Sequence, residues 1–486
     1  MDQHLGEYLG IEADWSPTGD PAETIEVVSP HTEQPIARVV ASRPADVDAA
    51  ITAARTAVDQ GPWPRLGPAE RIAVVRRLAE IYGRRRGEMA QLISAEIGAP
   101  ISFAQRAQVG LPAMLMSAFC DLAEAYPWQE RRGGFFGSDV HLRKEPVGVV
   151  AAVVPWNMPQ FLIVTKLIPA LLAGCAVVLK PAPESPLDAL LLAEMLKEVG
   201  LPDGVVTVVP GDATVGAHLV GHPGVDKVSF TGSSAAGRAV AAAAAANLTK
   251  VSLELGGKSA AIVLDDADPD TVAAGIRAAS LSNSGQICNA LTRIVVPARR
   301  EHEFVDALAA RMSALKVGDP ADPATDLGPL VSQRQQQRVR DYIDLGQQEG
   351  ARLICGGADL PDGIDAGWYV RPTLFAGADN AMRIAREEIF GPVLTVIGYR
   401  DEDEAVAIAN DSAYGLAGSV WTADTDRGVR IAERVQTGTF GVNQGYTMDP
   451  FAPFGGIKDS GYGRELGREG LEGYLETKSI AVATTR

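Results

Sequence analysis

The sequence predicts an α/β protein: two doubly wound units, each a mostly parallel sheet with helices on both faces, plus a small β arm. Three observations carry this expectation. Between residues 147 and 254, apolar runs alternate with helical stretches. The same alternation resumes beyond 254. Two strand-like pieces, 126–144 and 474–484, stand outside both series.

Taken in order, residues 1–24 are polar and contain Pro and Gly, as an arm over the surface would. Residues 24–28 and 36–40 read as short strands around the turn SPHTEQP. Over 45–60, Val47, Ile51, Ala54 and Val58 fall on one helical face, and Pro62-Trp63-Pro64 ends it. Residues 68–98 read as two successive helices with solvated Arg-rich faces, and 101–125 as another long helix. The stretch YPWQERRGGFFGSDVHLRK (126–144) suits a projecting hairpin. Then come VGVVAAVVP, a helix to about 173, CAVVLKP, a helix over 187–199, VVTVVPG, a helix, DKVSFTGS, a helix through the alanine run, and KVSLELGG. The second series contains AAIVLDD, TRIVVPARR and PVLTVIGY, so a unit boundary is expected near Glu254.

Composition excludes several classes. The chain has 486 residues, 46% of them apolar, and a formal charge of −17. Nucleic acid is not an expected partner, because phosphate binding needs a basic surface. Cys120, Cys175, Cys288 and Cys355 lie far apart with no CxxC pair, so no metal site is expected. So few cysteines fit a reducing compartment, and a cytoplasmic location is expected. His218 and His222 share a helix face in HLVGH but lack a third ligand, and read as structural. The N-terminus has no basic start and no apolar h-region, so no signal peptide is expected. The uncharged stretch 147–165 is long enough to suggest a membrane span. Pro155, Trp156, Asn157 and Pro159 in its middle favour strand, turn and helix instead, and no membrane contact is expected.

The chemistry is expected around Cys288, in SLSNSGQICNALTR (280–293). A thiolate attacks electrophilic carbon well, although most free cysteines are small buried hydrophobes. What lifts this one above that reading is company: Asn157 in VVPWNMP, Glu254 in LELGGKS and Glu388 in EEIFGPV. A cofactor would sit at the carboxyl ends of strands, where Lys180 follows CAVVL and Phe230-Thr231-Gly232-Ser233 opens a helix. No GxGxxG occurs. GGKS at 256–259 lacks the first glycine of a phosphate loop, since Ser252 stands there.

PWNMP, FTGS, LELGGKS, GQIC, EEIFGPV and PFGGIKDSG occur in the order, and at close to the spacing, of the aldehyde dehydrogenase superfamily. The resemblance covers about 25–480 and implies that family's fold. It implies a cofactor-binding unit over 1–125 and 145–253, a catalytic unit over 254–465, and an oligomerisation arm over 126–144 and 466–486. A homodimer or homotetramer is implied with it.

The same resemblance implies the reaction. The Cys288 thiolate attacks an aldehyde, and the Asn157 amide and the Cys288 N–H hold the oxyanion. Hydride leaves to the nicotinamide, and Glu254 activates water to release a carboxylic acid. Members that pass the acyl group to coenzyme A usually lack that glutamate. Lys166 and Glu465 match polar positions that shape water and proton traffic. For the cofactor, the resemblance points to Pro155, Trp156, Lys180, Pro183, Glu184, Gly211, Phe230, Gly232, Ser233, Leu255, Gly256, Glu388 and Phe390. NAD is expected. Many NAD-preferring members carry Glu three residues after the lysine; Pro183 stands there and Glu184 follows, which leaves NADP open. Met158, Leu162, Thr165, Ile287, Met448 and Phe454 make an apolar substrate channel. Thr165 replaces a bulky aromatic, so medium-sized apolar or aromatic aldehydes are expected. Arg293 stays open as a carboxylate receptor. An NADP-dependent semialdehyde dehydrogenase is the runner-up. A silent protein of the same fold would lack Cys288 or Glu254. A cysteine hydrolase would need a histidine base, and His302 is the only histidine downstream of Cys288.

Overall fold

The computed structural model describes residues 23–446 and 448–483. The arm expected over 1–24 therefore lies outside the described residues except for Glu23 and Thr24, as do 484–486 of the expected β arm. Thr24–Val28 and Pro35–Val40 form an antiparallel hairpin.

The first large sheet has six strands in the order Gly461–Tyr462, Lys250–Glu254, Lys227–Thr231, Val149–Val153, Ala176–Lys180, Val206–Val208. The five between 149 and 254 run parallel. Gly461–Tyr462, which falls inside the span assigned from sequence to the second unit, closes the edge antiparallel to Lys250–Glu254. The chain moves outward from Val149–Val153 in one direction and returns on its other side with Lys227–Thr231. The gap between those two strands is the topological switch point, where α/β sheets open a crevice. Both faces are covered. Val150 and Ala152 pack into one core, Val149, Ala151 and Val153 into another, which is why the strand reads as an unbroken apolar run.

The second sheet has seven strands in the order Arg352–Cys355, Thr373–Ala376, Val393–Tyr399, Leu291–Pro297, Ser259–Val263, Ala417–Trp421, Thr439–Val442. Only the edge strand Arg352–Cys355 is antiparallel. The third sheet is the arm: Leu475–Ala483 pairs with Ser138–Pro146, which pairs with Gln129–Gly133, all antiparallel.

Two helix expectations are corrected. Residues 68–98 form one helix, Pro68–Ile97, of 30 residues, rather than two. Gly83 and Gly87 each cost about 1 kcal/mol inside a helix. A continuous buried stripe through Val75, Leu78, Tyr82, Met89 and Ile93 outweighs them. The long helix expected over 101–125 is instead interrupted. Ile101–Phe103 leads into a π-turn, Ala104–Gln108, before Gly110–Ala125 resumes as α-helix. Pro112 lacks the N–H that would bond the Gln108 carbonyl, so the regular ladder cannot cross this point.

The uncharged stretch 147–165 resolves into the strand Val149–Val153, a turn, and the helix Pro159–Ala173 with proline at its first position. Among the described residues no helix is long and apolar enough to cross a membrane. The shared helix face expected for His218 and His222 is not formed: His218 lies on the helix Ala213–Val220 and His222 just past its end, with rings 6.0 Å apart and both turned to Asp48.

Candidate active site

A cavity of about 1110 Å³ opens at the switch point of the first sheet and extends to the loop before Leu291–Pro297 of the second. Pro155, Trp156, Asn157, Met158, Leu162, Gly232, Ser233, Leu255, Gly256, Ile287, Cys288, Glu388, Phe390, Met448 and Phe454 line it. So large a space exceeds what one small ligand fills.

Cys288 reaches the cavity from an unusual turn. Asn283 (φ 52°), Ser284 (φ 56°) and Gly285 (φ 75°) are successively left-handed. Two of the three are not glycine, and such backbone costs about 1–3 kcal/mol per residue. Side chains hold it in place. Ser284 Oγ donates to the Gly328 carbonyl at 2.7 Å, and Gln286 Oε1 accepts from the Val331 N–H at 3.1 Å. A Cβ at Gly257 would stand 2.6 Å from the Cys288 carbonyl oxygen, so the two loops meet backbone to backbone. Burial, with Glu388 and Glu254 nearby, pushes the Cys288 thiol up to about 12; the N–H groups of Asn289 and Cys288 pull the other way.

Asn157 sits in the turn between Val149–Val153 and Pro159–Ala173, 4% exposed. Its Nδ2 donates to the Gln286 carbonyl at 3.0 Å. One N–H of the amide is thereby committed and sets the plane of the group, which leaves the second N–H for a ligand.

Glu254 ends its strand just behind the cavity wall. It is 4% exposed, and neither carboxylate oxygen has a hydrogen-bond partner. Burial, reinforced by Glu465, raises its pKa well above the usual carboxylate range, while Lys166 and Arg464 oppose the rise. Lys166 and Glu465 form a buried ion pair. Lys166 Nζ also donates to Thr231 Oγ1 at 2.7 Å, and Thr165 Oγ1 donates to Glu465 Oε2 at 2.9 Å. Lys166→Met would strand the Glu465 charge, at a cost of about 3–5 kcal/mol. The expected result is an earlier urea midpoint and, with one cation fewer near Glu254, an activity limb displaced to higher pH. An unchanged midpoint would contradict this.

Glu388 also lines the cavity. Its Oε1 accepts from the Gly257 N–H at 3.0 Å, and burial pushes its carboxyl up to about 7. A Cβ at Gly256 would collide with that carboxylate. Trp156 and Phe390 meet edge to face, 5.5 Å between centroids. Ser233 caps the helix Ser234–Ala245, its Oγ accepting from the Ala236 N–H.

The aldehyde dehydrogenase family model matches residues 15–480. The chain belongs to the aldehyde dehydrogenase family. It is 48% identical to geranial dehydrogenase of Castellaniella defragrans, over 93% of this chain and 94% of that one. A Mycobacterium tuberculosis aldehyde dehydrogenase complexed with NAD+ superposes with a TM-score of 0.93 at 47% identity, covering 96% of this chain and 95% of that one. A cysteine-to-alanine mutant of Pseudomonas syringae aldehyde dehydrogenase C, complexed with NAD+ and octanal, gives 0.93 at 44% identity, covering 97% and 96%.

Several expected residues of this aldehyde dehydrogenase are not on the cavity wall. Thr165 is 1% exposed and bonded to Glu465, so it does not line the channel. Arg293 is not a carboxylate receptor. It is 2% exposed, and its guanidinium donates to the carbonyls of Lys258, Ile408 and Ala409 and to Asn380 Oδ1. Lys258 of GGKS is likewise buried away from the cavity. Lys180, Pro183, Glu184, Gly211 and Phe230 stand outside the lining. Lys180 is buried, with Nζ donating to the Pro181 carbonyl at 2.8 Å, and burial draws its ammonium down to about 8. Glu184 pairs with Arg334 at 3.4 Å. Gly211 lies under Val215, and the Phe230 ring lies against Gly232.

The wall also contains residues the sequence did not single out: Phe103, Ala107, Leu111, Phe161 and Tyr446. The first three come from the segment around the π-turn. Their spacing of four was visible, but regular helical geometry assigns it to an ordinary core face.

Proposed function

We propose that this enzyme oxidises medium-sized apolar or aromatic aldehydes to carboxylic acids with NAD, through a thioester on Cys288. The observation that carries the reading is that Cys288 and Asn157 line one largely apolar cavity, with a buried and partnerless Glu254 just behind its wall.

The cavity fits a dinucleotide. At Gly256 only a bare backbone clears the Glu388 carboxylate, which lets Glu388 stand on the cavity wall, where it would hold a ribose. Ser233 and Gly232 open a helix toward the phosphates. Trp156, Leu255 and Phe390 supply apolar walls, and Lys180 and Pro183 lie toward the adenosine end. NAD, when bound, supplies the hydride acceptor that turns the thiohemiacetal into a thioester.

The chain's own residues do the rest. The Cys288 thiol is protonated at neutral pH in this pocket, so attack needs a base. Glu254 has a raised pKa and no partner, which suits it to take a proton and return it. Sulfur then bonds to the aldehyde carbon. The second Asn157 N–H and the Cys288 N–H meet the oxyanion. The proton that Glu254 took from the thiol passes to solvent once the thioester has formed. Glu254 then takes a proton from water, which attacks the thioester carbon, and gives that proton to the sulfur as the carbon–sulfur bond breaks and the acid leaves. The Lys166–Glu465 pair keeps a second charge from standing unbalanced beside Glu254.

Phe103, Leu111, Phe161, Leu162, Ile287 and Phe454 offer apolar contact and no charge, and the donors of Arg293 are committed elsewhere. Both features favour octanal-like substrates over semialdehydes. Each buried methylene is worth up to about 0.8 kcal/mol. If half is realised over the six extra methylenes, kcat/KM should rise about fiftyfold from acetaldehyde to octanal. NADH and NADPH formation on acetaldehyde, octanal, benzaldehyde and succinate semialdehyde checks this. A preference for succinate semialdehyde, or for NADP, would defeat the assignment.

The cofactor unit is taken as 1–125 with 145–253, the catalytic unit as 254–465, and the arm of 126–144 and 466–486 as the joint of a homodimer or homotetramer. The exposed edge strand Leu475–Ala483 supports that joint.

A further inference from the structure

Asn157 is anchored by more than its own side chain. Its backbone carbonyl accepts two amide hydrogen bonds, from Gln108 Nε2 at 2.8 Å and from Asn283 Nδ2 at 2.8 Å. Both amides are buried, Gln108 at 0% and Asn283 at 2% exposure. A carbonyl has two lone pairs, and here both are filled, one from the π-turn Ala104–Gln108 and one from the turn that leads to Cys288. The peptide after Asn157 is therefore locked, and the Gln286 carbonyl locks the side-chain amide. Gln286 itself donates from Nε2 to the Asn283 carbonyl at 3.2 Å, so Asn157, Asn283 and Gln286 form a closed ring.

We infer that Gln108 and Asn283 are positioning residues that aim the Asn157 amide at the oxyanion. Both stand on unusual backbone. Gln108 ends the π-turn Ala104–Gln108. Removing one residue there would rotate it about 100° around the helix axis, away from Asn157. Asn283 is left-handed. Gln108 also carries an uncompensated cost: its Oε1 is buried with no partner, where an apolar side chain would cost nothing. Core packing does not account for a half-satisfied amide. Its one useful act is the bond to the Asn157 carbonyl.

The inference rests on Asn157 being an oxyanion donor, and the test separates the two. Single-turnover NADH formation with octanal is compared for the wild type, Gln108→Met, Asn157→Ala and the double variant. Gln108→Met keeps shape and removes the donor. The expected result is a rate 10- to 100-fold lower, with KM changed less than about threefold. NAD binding and the alkylation rate of Cys288 by iodoacetamide should not change. In the Asn157→Ala background the same substitution should cost nothing further. A harmless Gln108→Met beside a crippled Asn157→Ala overturns the inference and leaves the oxyanion reading standing. An equal loss in both backgrounds also overturns it. A fully active Asn157→Ala overturns both. If Gln108→Met does not fold, Asn283→Asp carries the same comparison, since Asp tolerates the left-handed backbone and lacks the donor.

Discussion

Cys288→Ala is expected to lower kcat by about 10⁴–10⁶-fold, the scale of losing a covalent nucleophile. Alanine leaves the cavity walls intact, so NAD and octanal should still bind with near wild-type affinity. The loss then belongs to the chemical step rather than to binding. Iodoacetamide labelling supplies a second measurement. Because burial pushes the Cys288 thiol up to about 12, the thiolate fraction should climb with pH throughout the accessible range, and inactivation should quicken with it. Cys120 and Cys175 are buried, with thiols pushed up to about 12 and about 11. Loss of the fast label in Cys288→Ala therefore identifies the site. Residual turnover above one per cent would place the nucleophile elsewhere.

Glu254→Gln is expected to divide the reaction in two. Glutamine has the same shape and cannot take a proton from water. Steady-state turnover should fall by about 10²–10⁴-fold, and an acyl group should accumulate on Cys288, visible as an intact-mass shift. Because Glu254 also takes the thiol proton in this reading, the first NADH burst should slow as well, by less than the turnover falls. The pH dependence has a definite sign. A carboxyl whose pKa is raised stays protonated, and inactive as a base, until the pH passes that value. Wild-type turnover should therefore rise with pH and level off, and this limb should be absent in Glu254→Gln. Unchanged turnover with no adduct would remove Glu254 from deacylation.

Much of the site was visible along the chain because its residues lie in short segments that also shape the backbone. PWNMP is a turn with a proline poised to start a helix, and it delivers Asn157. KVSLELGG ends a strand where two bare glycines allow the Glu388 loop and the Cys288 loop to approach. The alternation of apolar runs and helices announced two parallel sheets, since strands buried on both faces leave no polar register to hide them.

Other features depended on partners distant in sequence. Lys166 and Glu465 meet across 299 positions, and that pairing draws Thr165 away from the channel. Arg293 looked available beside Cys288 until three carbonyls and Asn380 took up its donors. The interruption at Pro112 turned an expected straight helix into a π-turn that carries Gln108 to Asn157. The raised carboxyl of Glu254 has the same origin, because desolvation is a property of everything packed around a group. Local sequence sets periodicity, turn geometry and the kinds of chemical group available. Which groups lose water, and which find one another, is settled when the two sheets and their loops close around the cavity.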